Sequence, residues 1–518
     1  MASTFAGLSI ASRGLLASQI GTATTTNNMS NVNTPGYSRQ VVNQVAIGPA
    51  AVYSRNTVGA GADVTSVSRV NSYRLNQKYW QQNCSLGEWL TKTEYLTEIE
   101  KALGTSSNDN GFSNMMKDFY AALESLSTNA GDSAARAKVY ETGNAVCEYF
   151  KAAAKSLTQL RNDANNEVKT TVDQINSYAK QITELNQQIS TAASAGASTN
   201  ELEDRRDLLV DELSKLTDVN VTANIINTAS DGTTTASYTV SINGQELISG
   251  NNARQLECCT ITDDSAQNGM YGIKWADTGD SFNVSNSGTL KACMDLRDGS
   301  GSAGNGKGIP YYMSKLDNFA RTFAKAFNEG IYADGKQYYG GHAGGYGLDG
   351  TTGVRFFTCD GESTADFLAG GTDTATRYNK ITAANISLSS DVKDNNKIAA
   401  ASQAPSGLDT TTGSNNQNAA DLLRICKDSR MFNSGTPVDY YNSVISTLGT
   451  ETSYASREND RQTNMVSYIG DSRAAVSGVS ENEEMANFSK YQQAYIASSK
   501  AVTTWSEIYE ATINMVSD

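Results

Sequence analysis

Apolar side chains gather on one side of a helical wheel over the first turns of the chain: Phe5, Leu8, Leu15, Leu16, Ile20 and Ala23. Arg13 is the only charged residue before Arg39. A surface helix of a lone soluble chain carries charge on its outer face, so this pattern predicts a helix enclosed by neighbours. Pro35-Gly36 follows, with Pro fixing φ and Gly supplying φ > 0, which predicts a type II turn. At the opposite end Phe488, Tyr495, Val502, Tyr509 and Val516 recur every seven residues, flanked by Met485, Tyr491, Trp505 and Ile513. Ser480 and Glu483 have the spacing of a capping box. A helix of roughly 35 residues with that period needs a partner helix. The N-terminal helix is the first candidate, and other subunits would cover the rest.

Between these ends the period changes several times. Residues 67–154 read as helix, broken by a Ser/Asn-rich loop between Gly104 and Gly111. Val168, Ile175, Ile182 and Ile189 then form one heptad row, with Thr171, Tyr178, Leu185 and Ala192 in the paired row. This suits two-stranded packing, here as one hairpin of a bundle within a globular domain. The small-residue stretch 192–198 ends it, and a second helix over 201–216 places Leu202, Leu209, Leu213 and Leu216 on its apolar side. After Asp218 short alternating segments appear, and Asn243-Gly244 signals a hairpin. Helix resumes at Pro310 with Leu316, Phe319, Phe323 and Phe327 on one face, and Pro suits a first helical position. A second loop-rich block, expected to be rich in strand, spans 340–414, and helix returns from Asn418.

The predicted fold is α+β and multidomain: terminal helices pairing as a coiled coil, a central helical bundle, and β-rich inserted outer domains. The expected division is 1–60 with 478–518, 61–217 with 287–339 and 415–477, and 218–286 with 340–414. A chain of 518 residues exceeds one ordinary core.

A formal net charge of −14 argues against nucleic acid, whose binding needs Lys and Arg at phosphates, and against insertion at anionic membranes. No apolar run reaches the roughly 18 residues of a membrane span, and the N-terminus lacks the basic flank of a cleaved signal peptide. Seven cysteines, an odd number with no C-x-x-C pair, read as buried thiols. One histidine, His342, leaves no zinc-protease pattern and no metal or other cofactor site. Gly299 to Gly304 spells G-x-G-x-x-G, yet no helix opens there, so it reads as a glycine-rich loop. Asp204-Arg205-Arg206-Asp207 reads as a solvated, ion-paired helix face. Nothing demands catalysis.

Two segments carry a resemblance. The first is Asn27-Asn28-Met29-Ser30-Asn31-Val32-Asn33-Thr34-Pro35-Gly36-Tyr37-Ser38-Arg39, and the second is Ser480 to Asn487 followed by Tyr491-Gln492-Gln493-Ala494-Tyr495. Together they resemble the axial proteins of the bacterial flagellum, nearest to the hook-filament junction type. Scattered landmarks such as Asn176-Ser177-Tyr178, Asp204 to Leu213, Asp295-Leu296-Arg297-Asp298 and Leu348-Asp349-Gly350 follow in the order that resemblance implies.

The resemblance implies a structural adaptor at the hook-filament junction, exported unfolded by the flagellar type III system. It would be extracellular and would lack a cleaved signal peptide. Implied partners are further copies of itself as a homo-oligomer, the flagellar hook protein, the next hook-associated protein and an export chaperone. Its subunit interface would comprise Phe5, Leu8, Leu15, Leu16, Ile20, Asn31, Asn33, Thr34, Pro35, Gly36, Tyr37, Met485, Phe488, Tyr491, Tyr495, Val502 and Tyr509. The terminal helices would be poorly ordered in the free chain, because isolated helices are marginal. Another hook or rod axial protein, or a secreted adhesin or enzyme carrying axial-type ends, are the alternatives.

Overall fold

A computed structural model describes residues 6–48, 59–104, 111–228, 234–263, 266–284, 286–302, 306–369, 374–404 and 415–517. Helix α1 (Ala6–Ser30) leads into an antiparallel ribbon of β1 (Gln40–Ala46) and β2 (Ala62–Arg69). Helices α2 (Tyr73–Ala102), α3 (Phe112–Thr128), α4 (Ser133–Ser194) and α5 (Asn200–Leu216) follow. Strands β3 (Val219–Thr228), β4 (Thr234–Ile242), β5 (Gln245–Ser249) and β6 (Asn252–Ala253) form one antiparallel sheet in chain order, and β7 (Leu256–Thr260) pairs with β8 (Tyr271–Trp275). Next come α6 (Thr289–Asp298) and α7 (Ile309–Glu329). A loop-rich stretch then carries β9 (Phe357–Cys359), α8 (Thr364–Leu368), α9 (Thr374–Tyr378) and β10 (Ile386–Leu388). Helices α10 (Gln417–Lys427), α11 (Pro437–Ser477) and α12 (Glu481–Ser517) complete the chain.

Helix α4 organises the body. Asp132 caps it by accepting the Ala134 N–H, and 62 residues then run without a break. Its first half buries Val139, Val146, Phe150 and Leu157 in a core shared with α3, α7 and α10. That core is aromatic: Phe150 stacks on Phe319 with centroids 4.8 Å apart, and Phe112 stacks on Tyr441 at 4.2 Å. Each such ring contributes about 1.5–3 kcal/mol by leaving water. The second half of α4 buries Val168, Ile175 and Ile182 against Val210, Leu213, Val240, Ile242 and Ile248. The heptad row expected to meet a helix thus also meets a sheet, with α5 returning alongside.

Several local expectations stand in the structure. Pro310 lies in the first turn of α7, and Gly330 ends that helix in the left-handed region at φ 68°. Asn243 and Gly244 both have positive φ at the β4–β5 turn. Three findings differ. The β1–β2 ribbon lies where no strand was expected and helix was read from residue 67. Its residues are half-exposed on both faces, so no clean alternation marks it. In the block 340–414 strand among the described residues is limited to the β9–β10 pair, because turns and single bonded turns of helix satisfy the backbone instead. Finally, Asp204, Arg206 and Asp207 are buried, not solvated; only Arg205 faces water. Arg206 stacks its guanidinium 3.5 Å over the Tyr238 ring and donates to Asn186.

His342 is fully buried. Its Nδ1 bonds the Val354 carbonyl at 2.7 Å and its Nε2 accepts the Ala399 N–H at 2.9 Å, while burial pulls its pKa down to about 4. It is a neutral staple between two loops. Among the described residues no group of His, Cys, Asp and Glu could hold a metal ion, and no helix is long and apolar enough to cross a membrane.

All seven cysteines are free thiols, five of them buried. Cys258 and Cys259, adjacent in β7, point to opposite faces. Burial pushes Cys84 up to about 12 and Cys258 up to about 11, which suppresses the reactive thiolate. Thiol titration of freshly purified, denatured protein without reductant should therefore find every cysteine free. Recovery of two or more fewer would show that disulfides form in the folded chain.

Candidate assembly interface

The two ends of the chain meet at a polar joint. Asn28, near the end of α1, uses both halves of its amide. Its Nδ2 donates to the Gln40 carbonyl at 2.9 Å and to Glu484 Oε2 at 3.0 Å. Its Oδ1 accepts the Gln40 N–H at 3.0 Å and the Tyr37 hydroxyl at 2.8 Å. The Tyr37 phenol is raised to about 12, first by burial and then by Glu201, Asp204 and Glu484, so it remains a donor. Pro35-Gly36 forms the expected turn: the Tyr37 N–H donates to Thr34 O at 3.2 Å and Gly36 has φ 79°. Asn31 donates to the Asn27 carbonyl and accepts from Thr34, which ties the turn back to the helix.

Arg39 carries the joint to the C-terminal half. Its N–H donates to Ser477 O at 2.7 Å, and its guanidinium lies 2.9 Å from Glu483 and 3.0 Å from Glu484. Glu483 turns toward Arg39, not back to the Ser480 N–H, so only the Ser480 half of the expected capping box forms, at 3.5 Å. A second tier anchors the joint on α5. The Ser38 N–H donates to Asp204 at 2.8 Å, Gln40 donates to Glu201 at 2.9 Å, and Arg69 reaches Glu203, Asp204 and Asp207 within 2.9 Å. Burial alone would lower the Arg69 pKa, but those three carboxylates lift it well above its ordinary value. At the neighbouring corner Asp211 accepts from Trp80 of α2 at 2.7 Å and from Arg473 of α11 at 2.9 Å.

From the joint α1 and α12 run antiparallel. The residues of α1 that face α12 are small. A Cβ placed on Gly21 would lie 2.5 Å from the Tyr491 ring, one on Gly7 would enter the Trp505 ring, and one on Gly14 would lie 3.0 Å from Ser498 Oγ. Gly7, Gly14, Gly21 and Asn28 therefore form one heptad row that receives Trp505, Ser498, Tyr491 and Glu484. Ala11, Ser18 and Thr25 of α1 are buried beside that row.

The leucines of α1 are not this seam. Leu8, Leu15 and Ile20 are half-buried and Leu16 is 54% exposed. On α12 Phe488, Tyr491, Val502 and Tyr509 are half-buried, whereas Met485 is 60%, Tyr495 42% and Ile513 65% exposed. Phe5 and Val516 lie outside the described side chains. Asn31 and Tyr37 are half-buried within the joint, and Asn33, Thr34, Pro35 and Gly36 are exposed on the turn. The sequence reading thus found the apolar rows but missed the glycine row, Ala11, Glu484, Ser498 and Arg69. A period of seven in Gly7, Gly14 and Gly21 was the available signal.

Residues 96–357 match the model of the flagellar hook-associated protein FlgK helical domain. Flagellar hook-associated protein 1 of Bacillus subtilis is 32% identical over 99% of this chain and 99% of its own. This chain belongs to the FlgK family of flagellar hook-associated proteins. The family is structural, a component of the flagellum, not an enzyme. Hook-associated protein 1 of Escherichia coli is 27% identical, covering 97% of this chain and 98% of its own. The ends match separately: residues 8–37 fit the flagella basal body rod protein model and 473–515 the C-terminal model of the basal body rod FlgEFG proteins. Those matches cover α1 with its turn, and α12. The flagellar hook junction protein FlgK from Burkholderia pseudomallei shares the fold at a TM-score of 0.59 and 17% identity, over 78% of this chain and all of that one.

Two outcomes follow from this family member's geometry. Replacing Gly21 by Leu should destabilise the terminal pair by about 1–3 kcal/mol through overpacking against Tyr491. Amide exchange over 8–30 and 481–512 should accelerate while α4 keeps its protection; unchanged exchange would refute the packing. Burial pushes the Asp211 carboxyl up to about 6. Its folded pKa exceeds the unfolded one, so its contribution is present at low pH and is lost as pH rises through about 6. The stability of Asp211→Asn relative to the native chain should therefore rise between about pH 4 and 6 and level off above, as chemical denaturation at each pH will measure.

Proposed function

We propose that this chain is a structural adaptor at the hook-filament junction that self-assembles through the outer face of its terminal helix pair. Leu16, Met485, Tyr495, Ile496, Ile508 and Ile513 all leave large apolar surface uncovered on α1 and α12. That observation carries the reading, since an apolar face of this extent marks an interaction site. Further copies of the chain would cover it sideways. The flagellar hook protein would lie on one side along the axis and the next hook-associated protein on the other.

The chain would leave the cell unfolded through the flagellar type III apparatus, guarded by an export chaperone that shields the same apolar rows. Absence of disulfides supports such a route, because nothing covalent must be undone before threading. In this reading residues 1–60 with 478–518 polymerise. Residues 61–217 with 287–339 and 415–477 form the supporting body, and 218–286 with 340–414 present outer surface. The basal-body rod matches at both ends favour one second reading, a hook or rod axial protein. Deleting the chromosomal copy and imaging which substructure is missing separates the two.

Tyr495→Asp tests the interface. Tyr495 is exposed in the single chain, so the monomer should fold normally, but a charge buried unpaired on assembly is strongly unfavourable. Cells carrying it should export the protein, build hooks without filaments, lose motility and shed unpolymerised flagellin. Normal filaments at native protein levels would show that this face does not hold the junction.

A further inference from the structure

The glycine row restricts how α12 can slide on α1, but incompletely. A slip of one to six residues drives Tyr491 against positions that carry a side chain, and the helices must part to take that volume. A slip of one whole heptad does not meet this obstacle. Moved outward, away from the joint, Tyr491 would seat on Gly14 and Ser498 on Gly7, both of them free of a Cβ. Glycine spacing alone therefore leaves two registers open.

The end of the row breaks the tie. In the observed register Glu484 is 1% exposed and its carboxylate receives the Asn28 amide at 3.0 Å. An outward heptad slip would bring Glu484 opposite Gly21, which offers no side-chain donor, and would also part it from Arg39, 3.0 Å away in the observed register. Asn28, also 1% exposed, would lose its acceptor at the same time. A buried group stripped of its partner is costly, and a carboxylate more so. We propose that the Asn28–Glu484 pair is the register lock of the terminal helices. It acts as a single polar layer at the end of an otherwise small-and-aromatic seam, in the way one buried polar position selects register in coiled coils. Asn28 and Glu484 are positioning residues here: they select which apolar side chains α12 and α1 present together on the outside.

Disulfide trapping in the full chain tests this, with the half-exposed Cys258 and Cys259 replaced by Ser. A Cβ at Gly14 lies 3.8 Å from the Ser498 Cβ, within the roughly 3.5–4.5 Å a disulfide requires. Gly14→Cys with Ser498→Cys should thus close within one chain under mild oxidation. Gly14→Cys with Tyr491→Cys reports the slipped register, since those sites are one heptad, about 10 Å, out of line in the observed one. Peptide mapping by mass spectrometry distinguishes intrachain from interchain closure.

With Asn28 and Glu484 intact only the first pair should close. Adding Asn28→Ala with Glu484→Ala should raise closure of the second pair roughly tenfold or more, the shift expected when one buried charge-assisted contact no longer discriminates. Glu484→Gln, whose amide oxygen still accepts from Asn28, should keep closure of the first pair alone. Closure confined to the first pair in the double-Ala chain would overturn the proposal, because register would then be set elsewhere. So would loss of both closures with loss of helicity, which would mean that the pair holds the helices together and does not choose between alignments. Failure of the first pair to close in the chain with Asn28 and Glu484 intact would overturn the register itself.

Discussion

One buried amide joins the first helix, the β1–β2 ribbon and the last helix of this molecule. Asn28 is buried with four hydrogen bonds made, to a tyrosine and a strand that follow it closely in sequence and to a carboxylate 456 residues away. Because both its donors and its acceptor are committed, no substitution of similar size reproduces the set. Around it the helix pair, the β1–β2 ribbon and α5 take fixed places. Arg39 and Arg69 extend the arrangement outward, each binding carboxylates of a different element. A flexible linker between coil and body would have needed none of these contacts.

The polar joint also explains why α1 is nearly free of charge. Its inner face is filled by aromatic rings entering glycine gaps, and its other side carries half-exposed leucines. Two different apolar surfaces on one helix leave little room for lysine or glutamate. Close approach is bought with glycines, which cost roughly 0.5–1 kcal/mol each in helix propensity. The aromatic contact area offsets that cost.

Much of the helical order was legible from period alone. The row Val168, Ile175, Ile182 is buried throughout, Pro310 starts α7, and Asn243-Gly244 turns a hairpin. The pairing of the first and last helices was legible in the seven-residue period of α12, but the row that meets α1 is Glu484, Tyr491, Ser498 and Trp505, while Tyr495 of the row read from the sequence faces outward. What stayed hidden was polar or small. Asp204, Arg206 and Asp207 alternate in sign like a solvated face, and only the tertiary placement of Arg69, 135 residues from Asp204, shows that they are inside. The glycine row was invisible to an argument built on apolar side chains, since glycine has none to count. The β1–β2 ribbon lacked alternation because it is wetted on both faces.

Helix α4 gives the body a property that neither core has by itself. At about 1.5 Å per residue its 62 residues reach roughly 90 Å, and the same unbroken rod is nailed into an aromatic core at one end and a sheet-backed core at the other. Bending one core relative to the other would mean stretching a ladder of backbone hydrogen bonds in series, with no loop between them to act as a hinge. A twist or pull applied at either end is thus passed on as strain in a stiff shaft.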